Sequence, residues 1–149
     1  MVKHVTVQQA HENQAHGFTY VDVRSVPEFA EGHPAGAVNV PLLHRDPRTG
    51  QMAPNRDFLA VMQANFAPDS RLLIGCQVGG RSAQAAQVLA AAGYQDVSNV
   101  LGGYSGARDP MTGAVRSPGW TQTGLPVATE AVPGTSYEAL RSRAATKDR

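Results

Sequence analysis

Short runs of β-branched and aromatic residues alternate along this chain with segments whose apolar positions recur every three or four residues, a pattern that predicts strands and helices in turn. Val5 opens a short strand. Thr6 and Gln9 have the spacing of a capping box and start a helix running to about His16. Phe18 to Arg24 reads as a central strand, and Ser25 with Pro27 and Glu28 begins a short helix over Pro27 to Glu31. Gly32 to Gly36 breaks that helix, Ala37 to Val40 is a brief strand stopped by Pro41, and His44 to Asn55, charged and proline-rich, is a surface loop. Asn55 caps a helix carrying Phe58, Leu59, Val61 and Met62 at core-like spacing.

Beyond the turn at Pro68-Asp69, Leu72 to Ile74 is a buried strand. A helix follows, with Ala85, Val88, Leu89 and Ala92 on one face and Gly93 as its C′ residue. Val97 to Leu101 is the last clear strand, ending at Gly102-Gly103. Tyr104 to Pro118 is polar and glycine-rich, a long loop expected to wall a site or to form a solvated insertion, ahead of the only tryptophan, Trp120. From Pro133 onward no core pattern is evident. This alternation implies an α/β fold with a mainly parallel sheet and right-handed crossovers.

A chain of 149 residues suits one domain with its own core, assigned to residues 1–130, and leaves 131–149 as a basic tail or frayed helix. In that tail Arg141, Arg143, Lys147 and Arg149 outnumber Glu138 and Asp148. A formal net charge of +1 gives no field pointing to nucleic acid or a membrane. The N-terminal residues lack the apolar core of a signal peptide and no apolar run has transmembrane length, so the cytoplasm is the expected compartment.

One cysteine, Cys76, excludes an internal disulfide and a CxxC redox pair. It follows Gly75 at the end of a strand and precedes Gln77-Val78-Gly79-Gly80-Arg81-Ser82, at the start of a helix. Unpaired N–H groups at a helix N-terminus stabilise a thiolate and cradle an anion. Gly79 and Gly80 let the backbone curl and a ligand approach. A structural cysteine, buried as a small hydrophobe, needs neither feature. Asp22 and Arg24 fall at the carboxyl end of the central strand, where parallel sheets bind ligands, although Asp22 could equally tie down loop N–H groups. His4, His11 and His16 have no cysteine or carboxylate cluster beside them and read as surface or capping histidines.

Tyr20-Val21-Asp22-Val23-Arg24, Glu28-Phe29, Glu31-Gly32-His33, Gly36-Ala37, Asn39 and Pro41 resemble the N-terminal signature of single-domain rhodaneses. Cys76 to Ser82 resembles their active-site loop, and Gly93-Tyr94, Val97, Leu101-Gly102-Gly103 and Gly124-Leu125-Pro126-Val127 their C-terminal half, so the similarity spans about residues 5 to 127. It implies a five-stranded parallel sheet with helices on both faces. It also implies a sulfurtransferase that carries sulfane sulfur as a persulfide on Cys76, from thiosulfate or a persulfidic donor, protein-bound or small, to cyanide or a thiol. Such chemistry needs no metal or organic cofactor.

The backbone of Gln77, Val78, Gly79, Gly80, Arg81 and Ser82 is then the expected substrate cradle, with Arg24, Tyr104 and Arg108 as rim residues. Arg81 is expected to turn back and pair with Asp22 or Glu28, and Ser82 to cap the helix or bond the persulfide. Two other readings stand beside this one: a non-enzymatic interaction or regulatory module built on the same scaffold, and a cysteine phosphatase. The phosphatases of this architecture place one more residue between cysteine and arginine than the four found here, which widens the cradle for a phosphoryl group.

Overall fold

The computed structural model describes the chain apart from Met1, Gly79, Glu130, Ala131, Asp148 and Arg149, and apart from the side chains of Arg108, Ala145, Thr146 and Lys147. Strand β1 (Val2–Val5) runs into helix α1 (Val7–Gln14), whose cap is the expected reciprocal pair: Gln9 N–H donates to Thr6 Oγ1 and Thr6 N–H to Gln9 Oε1. β2 (Thr19–Asp22) leads to α2 (Val26–Glu31), where Ser25 N–H donates to the Glu28 carboxylate. β3 (His33–Pro34) and β4 (Val38–Asn39) are two-residue strands. The segment expected to be an irregular surface loop is a hairpin of β5 (Leu43–Arg45) and β6 (Met52–Pro54).

Helix α3 (Phe58–Asn65) precedes β7 (Arg71–Gly75), α4 (Gly80–Ala91) and β8 (Asp96–Val100). In the long loop, β9 (Ala107–Arg108) pairs antiparallel with β10 (Val115–Ser117). β11 (Val127–Ala128) returns to pair with β3, and α5 (Tyr137–Lys147) closes the chain.

The main sheet has the order β1-β8-β7-β2-β4, and every neighbouring pair is parallel. Alternate side chains of its strands enter two cores. Val21, Leu72, Ile74 and Val97 pack with Phe58, Met62 and Leu89 from α3 and α4, whereas Tyr20, Leu73 and Val100 pack with Val7 and Ala10 of α1, Phe29 of α2 and the fully buried Trp120. Both faces are covered, as a parallel sheet requires. Among the described residues no helix is long and apolar enough to cross a membrane.

The segment expected to be a frayed tail differs most. Tyr137, Leu140 and Ala144 recur at i, i+3 and i+7, and they seat α5 on α3 within the first core; Leu140 is 1% exposed. Asn65 Nδ2 donates to the Leu140 carbonyl and Asn55 Nδ2 to the Tyr137 hydroxyl. Core residues therefore continue past the expected boundary at residue 130. Charged neighbours dilute this three-residue stripe, which is why the periodicity of the sequence does not reveal it. Leu140→Ala is expected to lower unfolding stability by about 2–4 kcal/mol, measured by urea denaturation, whereas a loss near zero would mark a tail outside the cooperative unit.

Candidate active site

Parallel pairing brings Asp22 opposite Gly75 and Ile74 opposite Asn99, so the strand ends meet along one carboxyl edge with Cys76 immediately beyond β7. α4 begins at Gly80, and the Ser82 N–H in its first turn donates to Cys76 Sγ at 3.3 Å. Cys76 Sγ in turn lies 3.4 Å from Ser82 Oγ, as donor to it, and Ser82 Oγ donates to Asn99 Oδ1 at 2.6 Å. The thiol is 2% exposed and belongs to the first core cluster. It is more enclosed than a freely accessible nucleophile.

The segment after β8 fixes the loop through its backbone. Tyr104 N–H donates to the Cys76 carbonyl at 2.8 Å, and Ser105 N–H to the Gln77 carbonyl at 3.0 Å. Gly103 (φ +57°) makes the approach possible, since a Cβ there would collide with the Cys76 carbonyl oxygen. Gln77 is half-buried, Val78 is 50% exposed, and Gly80 is exposed at the start of α4. Gly79, expected in the cradle, lies outside the described residues, as does the Arg108 side chain expected at the rim.

Arg24 is not a rim residue. It is 2% exposed, and its guanidinium bonds both Asp22 carboxylate oxygens, the Gly32 carbonyl and Gln77 Oε1, with the half-buried Tyr104 ring 4.4 Å away. Burial works against its charge, but the Asp22 carboxylate outweighs this and holds the guanidinium pKa above its ordinary value. Asn39 Nδ2 supports the turn by donating to the Asp22 and Arg24 carbonyls. Asp22 is thus the partner of Arg24, and Arg81 pairs with Glu28 rather than Asp22, through two bonds of 2.8 and 3.0 Å.

Asn39, Asn99 and Gly103 went unassigned in the sequence. Asn99 carries one usable signal, a polar side chain inside a strand on the same face as the core residue Val97. His11 is not a plain surface histidine, since its ring meets Trp120 edge-on, and His4 approaches Asn99 Nδ2 through Nδ1. Among the described residues no group of three His, Cys, Asp or Glu could hold a metal ion.

The hydrogen bonds from Arg81 lower the Glu28 pKa to about 2, assisted by those from Ser25 and opposed by burial. A folded-state pKa below the unfolded one, about 4.3, confers stability that is complete above the unfolded value and lost as pH falls toward the folded one. The stability advantage of wild type over Glu28→Gln is therefore expected to shrink between about pH 5 and pH 2, by about 1 kcal/mol after allowance for solvent screening of this partly exposed pair. Urea titrations across that window measure it, and parallel losses in the two proteins would contradict it.

The Rhodanese-like domain family model matches residues 6–109. "Thiosulfate sulfurtransferase 16, chloroplastic" of Arabidopsis thaliana is 37% identical over 122 residues, 82% of this chain and 89% of its own. "Rhodanese-like domain-containing protein 15, chloroplastic" of the same plant is 34% identical over 83% of this chain, which spans 59% of that protein. The crystal structure of Rv0390 from M. tuberculosis superposes with a TM-score of 0.69 at 29% identity, covering 87% of this chain and 98% of that one. The chloroplastic relatives correct the expectation of a cytoplasmic location: a sequence without a visible leader pattern does not fix the compartment. The family match, the sheet order and a cysteine at the β7–α4 junction agree, and the chain belongs to the rhodanese-like domain family, whose relatives of similar sequence include named sulfurtransferases.

Proposed function

We propose that this protein transfers sulfane sulfur through a persulfide on Cys76. The observation that carries the reading is the Ser82 N–H bonded to Cys76 Sγ at the first turn of α4. A donor group and the positive end of a twelve-residue helix meet the sulfur where negative charge resides before and after transfer. With thiosulfate as donor, the thiolate attacks the outer sulfur, one S–S bond forms as another breaks, and sulfite leaves with the bonding pair. The terminal sulfur keeps one negative charge. Cyanide then removes it as thiocyanate and restores the thiolate, and a thiol acceptor would form a new persulfide in the same way.

Gln77, Val78, Gly80, Arg81 and Ser82 supply the cradle through their backbone. Arg24 and Tyr104 position it from behind. The donor can be thiosulfate, a small persulfide or a persulfidic protein. Relatives named thiosulfate sulfurtransferase, at 37% and 41% identity, support the first.

The arginine geometry favours this reading over phosphoryl transfer. Arg81 is committed to Glu28, outside the cradle, so the side chain that would clamp a phosphoryl group is turned away. An interaction module would need no thiol at the helix start, and Cys76 is present there.

Intact mass spectrometry after incubation with thiosulfate is expected to show one added sulfur on wild type and none on Cys76→Ser, with cyanide discharging the sulfur as thiocyanate. A wild type left unloaded by thiosulfate and by a small alkyl persulfide would overturn the sulfurtransferase reading. Cys76-dependent hydrolysis of an aryl phosphate would replace it with a phosphatase.

A further inference from the structure

We propose that a small cavity between α2, the edge strand β4 and the start of α5 binds a primary ammonium ion carrying a short apolar chain. His33 on β3 and Asn39 on β4 line it, 2% and 1% exposed, and each brings an acceptor that the rest of the protein leaves unused.

Other bonds fix both side chains. Asn39 Nδ2 donates to the Asp22 and Arg24 carbonyls at 2.9 and 3.0 Å, which commits the amide nitrogen and leaves Oδ1 as the open end of the group. A carbonyl only accepts, so the 2.8 Å contact between His33 Nδ1 and the Phe29 carbonyl is an N–H···O bond. In the neutral ring Nε2 then keeps a lone pair. The Phe29 ring stacks on the imidazole, with centroids 3.7 Å apart, and holds its plane.

Among the described residues no group donates to Asn39 Oδ1 or His33 Nε2. Neither atom is sealed in: among the described side chains the one nitrogen or oxygen shut off without a partner is His11 Nδ1. Two buried side chains, each with an unused acceptor that still meets open space, thus line one cavity of about 180 Å³. A buried polar group without a partner is costly, so these acceptors call for a donor.

The rest of the lining indicates which donor. Phe29, Ala30 and Tyr137 provide apolar surface, and Glu138, exposed and in no ion pair among the described residues, adds a carboxylate. An ammonium group has three N–H donors and no acceptor, and its charge suits the carboxylate. An anionic ligand would set further acceptors and like charge against these groups. At about 30 Å³ per heavy atom, the share of one water in the liquid, the cavity holds about six such atoms, which limits the chain.

Titration of the full chain with n-butylammonium chloride at about pH 7.5, where an alkylamine is charged, followed by ¹⁵N NMR, tests the site. Saturable binding is expected, with the His33 Nε2 resonance moving as its lone pair accepts a hydrogen bond. n-Butanol, equal in heavy atoms and uncharged, is expected to bind about tenfold more weakly, the difference between hydrogen bonds from a charged and a neutral donor. Glu138→Gln is expected to weaken butylammonium about twofold to fivefold, since that carboxylate is exposed. Ala30→Trp, at an exposed position of α2, is expected to fill the cavity and abolish the shift at His33.

No saturable binding, a His33 Nε2 resonance that stays in place, or butanol and butylammonium binding equally would overturn the proposal and leave a cavity that holds water only. Full affinity in Glu138→Gln, or binding that survives in Ala30→Trp, would overturn it as well. Should Ala30→Trp fold too weakly to assay, Ala30→Met carries the same expectation and the same refutation. Sulfur loading of Cys76 enters none of these measurements, so this inference and the sulfurtransferase reading fail independently.

Discussion

The contact on which the site depends is the one between the first turn of α4 and the sulfur at the end of β7. The 3.3 Å between Ser82 N and Cys76 Sγ is set by a four-residue loop connection, 76–79, whose two ends are held by regular structure. Parallel register fixes one end, since β2 and β8 flank β7 and bring Asp22 and Asn99 to its carboxyl edge. Tyr104 and Ser105 hold the carbonyls of Cys76 and Gln77. In a planar trans peptide the N–H points opposite the carbonyl, so these bonds direct the N–H groups of Gln77 and Val78 away from the Tyr104 segment.

Charge in this region is arranged in closed pairs. Arg24 with Asp22 and Arg81 with Glu28 each satisfy one another, and each pair ties the loop to the first half of the domain: Arg24 through Gln77, and Arg81 through α2. The Arg24–Asp22 pair is almost wholly buried, and loss of either partner would strand a charge at a cost of about 3–5 kcal/mol. These pairs hold the loop in shape. The stabilisation of anionic sulfur proposed above falls to backbone donors and the helix dipole, which need no side-chain cation beside the nucleophile.

The sequence was most readable where local chemistry and long-range packing agree. The capping boxes at Thr6 and Ser25, the buried run Leu72 to Ile74, and a cysteine followed by glycines and a helical pattern all announce themselves within a few residues. Legibility failed where the cause is distant in the chain. Nothing near Arg24 shows that it is buried against Gln77, fifty-three positions away, or that Tyr104 lies across its guanidinium. The choice of Glu28 over Asp22 for Arg81 depends on which carboxylate Arg24 occupies. The packing of α5, expected as a frayed helix or tail, escaped notice because three apolar positions among charged ones suffice when a hydrophobic face of α3 awaits them. Asn99 is a polar residue in a buried strand, and its reason is a hydroxyl seventeen residues earlier.

The most direct test is crystallographic: crystals soaked in thiosulfate and then rinsed, compared with unsoaked ones. The account predicts one additional atom about 2.0 Å from Cys76 Sγ, the length of an S–S bond, lying within reach of the N–H groups of the loop and of the α4 first turn. A sulfur absent from Cys76 in soaked crystals, or attached but turned away from those donors, would contradict it.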